Sequence, residues 1–119
     1  MYSTQVLDHF KNPRHSGELP GADADVEVTN PVCGDIMRLA ARLEAGRIAE
    51  VRFQARGCVT SIACGSVLAE KLQGVTPGQV TITAEEISND LGVLPSATFH
   101  GAQLACDALA ALLAKLPAR

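Results

Sequence analysis

The stretch MRLAARLEAGRIAEVRFQA, residues 37–55, decides the fold class of this chain. Apolar side chains alternate with polar or small ones on both sides of the central segment Glu-Ala-Gly-Arg, residues 44–47. Alternation with a period of two is typical of a β-strand with one covered and one solvated face, and the glycine favours a tight turn. The stretch therefore predicts an antiparallel hairpin. Its covered positions are Met37, Leu39, Ala41 and Leu43 in the first strand and Ala49, Val51, Phe53 and Ala55 in the second.

The residues upstream of this hairpin add a third strand and a short helix. Residues 26–29, Val-Glu-Val-Thr, alternate in the same way and predict another strand. Residues 2–11 place apolar side chains on one side of a helix, which the Asn-Pro-Arg segment 12–14 ends. We interpret His9 and His15, on either side of this helix end, as solvated or capping residues.

The residues downstream of the hairpin predict helices. One helix covers residues 60–73 and ends at Gly74, and a second begins at the capping box Thr83-Ala84-Glu85-Glu86. The last covers residues 99–116, with a stripe at helical spacing. That stripe comprises Leu104, Ala108, Leu109, Leu112 and Leu116. Strands followed by helices predict an α+β domain, a three-stranded antiparallel sheet with helices packed on one face.

Length and composition limit the class of protein. With 119 residues the chain is expected to be a single domain over residues 1–119. The net charge of −3 and the lack of a basic stripe argue against a nucleic-acid or membrane-surface protein. We see neither a signal peptide nor an apolar stretch long enough to span a bilayer. We therefore expect a cytoplasmic protein whose four cysteines are reduced, which favours metal binding or chemistry over disulfides.

Four residues of metal-ligand type lie beside glycines at predicted breaks in secondary structure. They are Cys33 and Asp35, which flank Gly34, Cys58, which follows Gly57, and His100, which precedes Gly101. Two thiolates, one carboxylate and one imidazole complete a tetrahedral set for zinc or for iron.

The surroundings of the first three residues support this hypothesis and also allow a structural one. By strand parity, Cys33 and Asp35 share the covered face of Met37, where a carboxylate needs a partner. A tight turn with a core cysteine and an aspartate bound to backbone amides is the alternative. Cys58 precedes a helix capped by Thr60 or Ser61, whose N-terminus stabilises a thiolate. A buried structural cysteine is the alternative there.

The remaining candidates lie on predicted helices. His100 falls in the first turn of the last helix, where Thr98 is the expected cap and the helix terminus disfavours imidazolium. The alternative for His100 is a surface residue. Cys64 shares an apolar stripe with Leu68, so core packing is the favoured interpretation. Cys106 lies six residues beyond His100, which turns its side chain about 120° away on the helix.

Taken together, these motifs resemble the NifU/IscU-type iron–sulfur cluster assembly scaffold family over nearly the whole chain. The combination of Asp-His-x-x-Asn-Pro-Arg, Cys-Gly-Asp and Gly-Cys is far more specific than any one motif. The matching segments are Asp8 to Arg14, Cys33-Gly34-Asp35, Gly57-Cys58, Leu94-Pro95, His100 and Leu104 to Leu109.

The resemblance implies a carrier rather than an enzyme, with no catalytic residue. Such a scaffold receives sulfur from a cysteine desulfurase and iron from a donor, holds a labile [2Fe-2S] cluster, and passes it to iron–sulfur acceptor proteins. Carried over by position, the cluster or metal ligands are Cys33, Asp35, Cys58 and His100. Zinc is a possible occupant of the isolated protein.

The chain departs from the family pattern in two places. Gly101 stands where the family has a third cysteine, a cluster ligand and sulfur acceptor; Asp35, His100, another cysteine or a second copy of the chain would have to compensate. Only Leu94 and Pro95 remain of the Leu-Pro-Pro-Val-Lys segment that a dedicated Hsp70-type chaperone recognises, so this partner is doubtful. One branch of the family consists of zinc-dependent sulfur acceptors with a long insertion, and this insertion is absent between Cys58 and His100.

Two alternative functions remain open at this point. One is a zinc-binding sulfur acceptor that works as a partner of a cysteine desulfurase. The other is a degenerate relative that keeps a structural zinc and serves as a binding module.

Overall fold

The structure, a computed structural model, describes residues 2–117. Within this range the strands are β1 (Ala24–Thr29), β2 (Ile36–Glu44) and β3 (Arg47–Arg56). The α-helices are α1 (Thr4–Lys11), α2 (Val59–Leu72), α3 (Ala84–Asp90) and α4 (His100–Lys115). Single-turn 3-10 helices lie at Pro77–Gln79 and Ser96–Thr98.

The three strands form one antiparallel sheet in the order β1-β2-β3. Its inner face carries Met37, Leu39, Ala41, Val51 and Phe53, all buried. The outer face is polar, with ion pairs such as Arg42 to Glu50 joining neighbouring strands. The predicted α+β class and its three-stranded antiparallel sheet are therefore confirmed.

The alternation in the hairpin breaks at one point that the sequence pattern does not predict. The register shifts between Arg42 and Leu43, so that Arg42 pairs with Glu50 and Leu43 with Ile48. Ala49 has no partner of its own, as at a β-bulge, which reverses the parity of the residues before it. Ile48 is consequently fully buried and Ala49 only partly, so the prediction of Ala49 as a core residue is wrong.

Helices α2 and α4 cover the inner face of the sheet. α2 packs on β3, and α4 packs on β1, β2 and α2. The approach of α2 depends on Gly65, where a Cβ atom would lie 2.5 Å from the Phe53 ring. The predicted stripe of α4 is buried at every position, from Leu104 to Leu116.

The segment Ser96–Lys115, which includes α4, is apolar and long enough to cross a membrane by length and composition alone. The expectation that the chain has no such stretch is therefore wrong. In the structure this segment contributes Leu104, Ala105, Ala108 and Leu112 to the core.

The N-terminal helix is tied to α2 by a histidine and a serine. Ser66 is fully buried, accepts a hydrogen bond from the Arg14 N–H at 2.9 Å, and lies 2.8 Å from His9 Nδ1. His9 is thus half-buried and bonded to α2, and the interpretation of it as a solvated or capping residue is wrong. Burial lowers the pKa of His9.

Candidate metal centre

Cys33 lies in a closed loop between β1 and β2. The Asn30 side chain accepts hydrogen bonds from the N–H groups of Val32 and Cys33, at 2.8 and 3.3 Å, and the Asn30 N–H donates to the Asp35 carbonyl at 2.8 Å. Gly34 has φ +79°, in the left-handed region that glycine reaches without strain. Cys33 is therefore exposed on a turn, whereas strand parity placed it on the covered face of the sheet.

Asp35 is the buried member of the site. It is 8% exposed and accepts hydrogen bonds at Oδ2 from the Ser61 hydroxyl, at 2.7 Å, and from the Cys58 N–H, at 3.4 Å. Burial alone would raise the pKa of Asp35, but these hydrogen bonds outweigh it and hold the pKa below its ordinary value. The carboxylate that the sequence placed on the covered face thus has the partners it needs.

Gly57 allows the chain to pass close to this carboxylate. A Cβ atom at position 57 would lie 2.3 Å from Asp35 Cγ, and the glycine has φ +149°. No side chain fits such a gap, so only glycine brings the end of β3 this close to Asp35. The following residue, Cys58, therefore also lies beside Asp35.

Cys58 caps α2 with its own side chain. Its Sγ accepts a hydrogen bond from the Ser61 N–H at 3.4 Å, and its backbone is extended, as is usual at an N-cap. The expectation that Thr60 or Ser61 caps this helix is wrong, because both already lie within α2. The Ser61 N–H therefore points toward the sulfur, and a donor at the start of a helix favours negative charge there.

His100 is the first residue of α4. Its Nε2 lies 3.9 Å from Asp35 Oδ2, and its side chain is 31% exposed. The expected Thr98 cap is not found: Phe99 holds the N-cap position, and the Thr98 hydroxyl donates to the Pro95 carbonyl at 3.3 Å. The 3-10 turn Ser96–Thr98 runs almost directly into α4, which leaves no extended residue for a conventional cap.

Three of the four predicted residues converge. One ligand atom each from Cys33, Asp35 and His100 lies within 4.8 Å of the other two, a spacing at which one metal ion can contact all three. Cys58 lies outside this group, but it is joined to it through Asp35 and Ser61. The donor set of sulfur, oxygen and nitrogen suits zinc or iron.

The other two cysteines, Cys64 and Cys106, are not members of this group. Cys64 is fully buried in α2, and burial raises the pKa of its thiol to about 12. Cys106 is partly buried on α4, with its Sγ 3.8 Å from the Ile82 carbonyl oxygen, and burial raises its pKa as well. Both are thus expected to remain protonated thiols, and the predicted core role of Cys64 agrees with its position.

Gly101 is buried where α4 meets α2. A Cβ atom there would lie 3.3 Å from the Cα and N atoms of Ser61 and 3.4 Å from Cys64 Sγ. These distances are tighter than ordinary van der Waals contact, so the two helices approach each other over a residue without a side chain. A larger residue at 101 would need a shift of a few tenths of an ångström.

Ser61 contributes to the site in a way that its sequence position did not predict. Ser61 was interpreted only as a possible cap, yet its hydroxyl bonds Asp35 and its N–H bonds Cys58. The available signal was its spacing, three residues after Cys58, where the N–H of a helix meets the N-cap side chain. The partner Asp35 is 26 residues away, and no local pattern predicts that contact.

Comparison with known proteins places this chain in a defined family. The family model of the NifU-like N-terminal domain matches residues 1–119. The chain is 41% identical over 110 residues to a protein of Archaeoglobus fulgidus named iron-sulfur cluster assembly scaffold protein IscU 1, covering 92% of this chain and 72% of the relative. The chain belongs to the NifU-like N-terminal domain family, and the family prediction is confirmed.

Two further comparisons agree with this assignment. The iron-sulfur cluster assembly scaffold protein IscU of Azotobacter vinelandii is 39% identical over 115 residues, covering 92% of this chain and 89% of its own length. A crystal structure of a nitrogen-fixing NifU-like protein (N-terminal) from Brucella abortus superposes with a TM-score of 0.75 at 18% identity. That match covers 95% of this chain and 92% of the other, and at this identity it shows the fold alone.

Proposed function

We propose that this protein is a scaffold on which iron–sulfur clusters are assembled and from which they are passed to acceptor proteins. The family and the names of its relatives support the scaffold role. The observation that carries the proposal for this chain is the convergence of Cys33, Asp35 and His100 beside Cys58. The cluster is the cargo of this site, and a [2Fe-2S] cluster or its iron is the cargo we propose.

The geometry suits temporary rather than permanent binding. Cys33 is exposed and His100 partly so, which lets an incoming or departing group reach the metal from solvent. Asp35 and Cys58 form the inner side of the site through shared hydrogen bonds. Imidazole ligands replace thiolates on one iron of some [2Fe-2S] centres, so such a centre does not require four thiolates.

The proposal extends to partners and setting. A cysteine desulfurase would supply sulfur, and apo forms of iron–sulfur proteins would take the cluster. An Hsp70-type chaperone is not included, since only Leu94 and Pro95 of its recognition segment are present. We further propose that residues 1–119 act as a single domain in the cytoplasm, binding and passing on cargo without catalytic turnover.

The test is anaerobic reconstitution of the purified protein with ferrous iron and sulfide. Wild type should develop visible sulfur-to-iron charge-transfer bands, and Cys58→Ala should lose them. Cys106→Ala is the matched control, because this cysteine lies on α4 away from the site and the variant should behave as wild type. Wild-type protein that stays colourless under these conditions would refute the proposal.

The same donors also suit zinc, which keeps the sulfur-acceptor function as a second candidate. The observation in its favour is that the exposed thiol of Cys33 lies within 4.8 Å of a carboxylate oxygen of Asp35 and a nitrogen of His100, which are ligand types that zinc accepts. Zinc-loaded protein should then accelerate a cysteine desulfurase and carry a persulfide detectable by mass spectrometry. Absence of both effects would leave the cluster scaffold as the function.

A further inference from the structure

Ser61 contacts two residues of the proposed site, Asp35 and Cys58, which are also joined by the hydrogen bond from the Cys58 N–H to Asp35 Oδ2 at 3.4 Å. It is fully buried at the start of α2, and its hydroxyl donates to Asp35 Oδ2 at 2.7 Å. Its N–H donates to Cys58 Sγ at 3.4 Å, and its Oγ lies 3.4 Å from the same sulfur. One residue thus contacts both Asp35, inside the converging group, and Cys58, outside it.

The single hydroxyl proton of Ser61 determines which of these contacts the side chain donates and which it accepts. A serine hydroxyl has one proton to donate, and the short contact to the carboxylate takes it. Ser61 Oγ can therefore only accept from the Cys58 thiol. When Cys58 is a thiolate, the contact that remains attractive is the N–H of Ser61.

One oxygen of the Asp35 carboxylate already accepts hydrogen bonds from the protein. Oδ2 receives both the Ser61 hydroxyl and the Cys58 N–H, whereas Oδ1 takes neither of these hydrogen bonds. A carboxylate can bind a metal through one oxygen or through both, and hydrogen bonds to one oxygen favour the one-oxygen mode.

We propose that Ser61 is a positioning residue of the metal site, which holds Asp35 as a one-oxygen ligand and keeps Cys58 beside it. This inference rests on the proposed function, since it concerns the same site. Removing the hydroxyl leaves Oδ2 with only the longer hydrogen bond from the Cys58 N–H, so that Asp35 can bind through both oxygens and is held less firmly beside Cys58. Partners that orient a ligand in this way typically contribute 10- to 100-fold to metal affinity, so we expect about a tenfold loss.

The experiment is Co²⁺ binding at constant pH under anaerobic conditions, with dissociation constant and visible spectrum recorded. Wild type should give the intense d–d bands of four-coordinate Co²⁺ with sulfur charge transfer. Ser61→Ala should bind about tenfold more weakly and give the weaker bands of a five-coordinate ion. Ser61→Thr, which keeps a hydroxyl, should retain the wild-type spectrum.

Ser66→Ala is the matched control. It is the same substitution on the same helix at an equally buried position, and its hydroxyl bonds α1 and Arg14 instead of the site. It should leave affinity and spectrum unchanged.

The possible outcomes separate this inference from the proposed function. No thiolate–cobalt band in wild type would refute the proposed site itself. A wild-type spectrum and affinity in Ser61→Ala would overturn the role of Ser61 and leave the proposed function standing. If Ser61→Ala does not fold, X-ray absorption of the wild-type cobalt protein decides, because two carboxylate oxygens around the metal would overturn the inference.

Discussion

Substitution of Gly57 by alanine should disturb stability and metal binding together. Its Cβ atom would lie 2.3 Å from Asp35 Cγ, so Asp35 or the backbone before α2 must move. A non-glycine residue in such a backbone region costs about 1–3 kcal/mol. Displacing Asp35 from Ser61 removes a hydrogen bond to a charged group, worth about 1.5–3 kcal/mol. We therefore expect Gly57→Ala to lower the free energy of unfolding by about 4 kcal/mol.

The control for this prediction is Gly46→Ala in the hairpin turn. Gly46 has φ +79°, but a Cβ atom there would meet no atom within 4 Å. This variant carries the backbone strain without the collision and should lose about 1–2 kcal/mol. Comparing it with Gly57→Ala isolates the effect of the close approach.

The assay is urea unfolding of metal-free protein followed by far-ultraviolet circular dichroism, with zinc affinity measured separately. Chelation removes the contribution of bound metal to stability. Gly57→Ala should also weaken zinc binding, whereas Gly46→Ala should not. If both variants lose the same stability and bind zinc as wild type does, Gly57 does not position Asp35.

The remaining predictions concern a cysteine introduced at position 101, the Cys58 cap of α2, and His9, which joins α1 to α2. Gly101→Cys should crowd Ser61 and lower the free energy of unfolding by about 1–3 kcal/mol, which is the usual cost of overpacking a core. It should nevertheless lengthen the half-life of a reconstituted cluster, because it adds a ligand. Gly101→Ala is its control, and an unchanged half-life in Gly101→Cys would contradict the prediction. Cys58→Ser should abolish cluster binding but keep the helix cap. Cys58→Ala should abolish binding and also lower the free energy of unfolding, measured by thermal unfolding, by about 1 kcal/mol. Equal stability of the two variants would show that the cap does not stabilise the fold. Because burial lowers the pKa of His9, its neutral form stabilises the fold above about pH 6.5 and this contribution is lost as pH falls through the lowered pKa. His9→Asn should flatten that part of the stability profile between pH 8 and 5, and a profile identical to wild type would rule out His9 as the cause.

The fold could be predicted largely because its decisive information is local. Period-two alternation placed Met37, Leu39, Val51 and Phe53 on the inner face, where each is buried. The bulge at Ala49 could not be predicted, because a single unpaired residue changes strand parity without changing the composition of either strand.

The site was only partly predictable for a related reason. Residue type and position beside glycines selected Cys33, Asp35 and His100, the family resemblance supported them, and the structure brings them together. The wrong cap at α2 has a chemical cause: thiols are not among the usual capping residues, so hydroxyls were preferred over Cys58. Ser61 escaped because its hydrogen bond joins residues that meet only through tertiary packing.

The four residues of the proposed site also share a position in the secondary structure. Cys33 lies in a turn, Asp35 directly precedes β2, Cys58 caps α2, and His100 begins α4. Ends of elements open locally at a small fraction of the free energy of global unfolding. The site can therefore loosen by fraying of two helix ends while Phe53, Leu68 and the rest of the core stay packed. Hydrogen exchange should accordingly be faster at these element ends than in the core of the sheet.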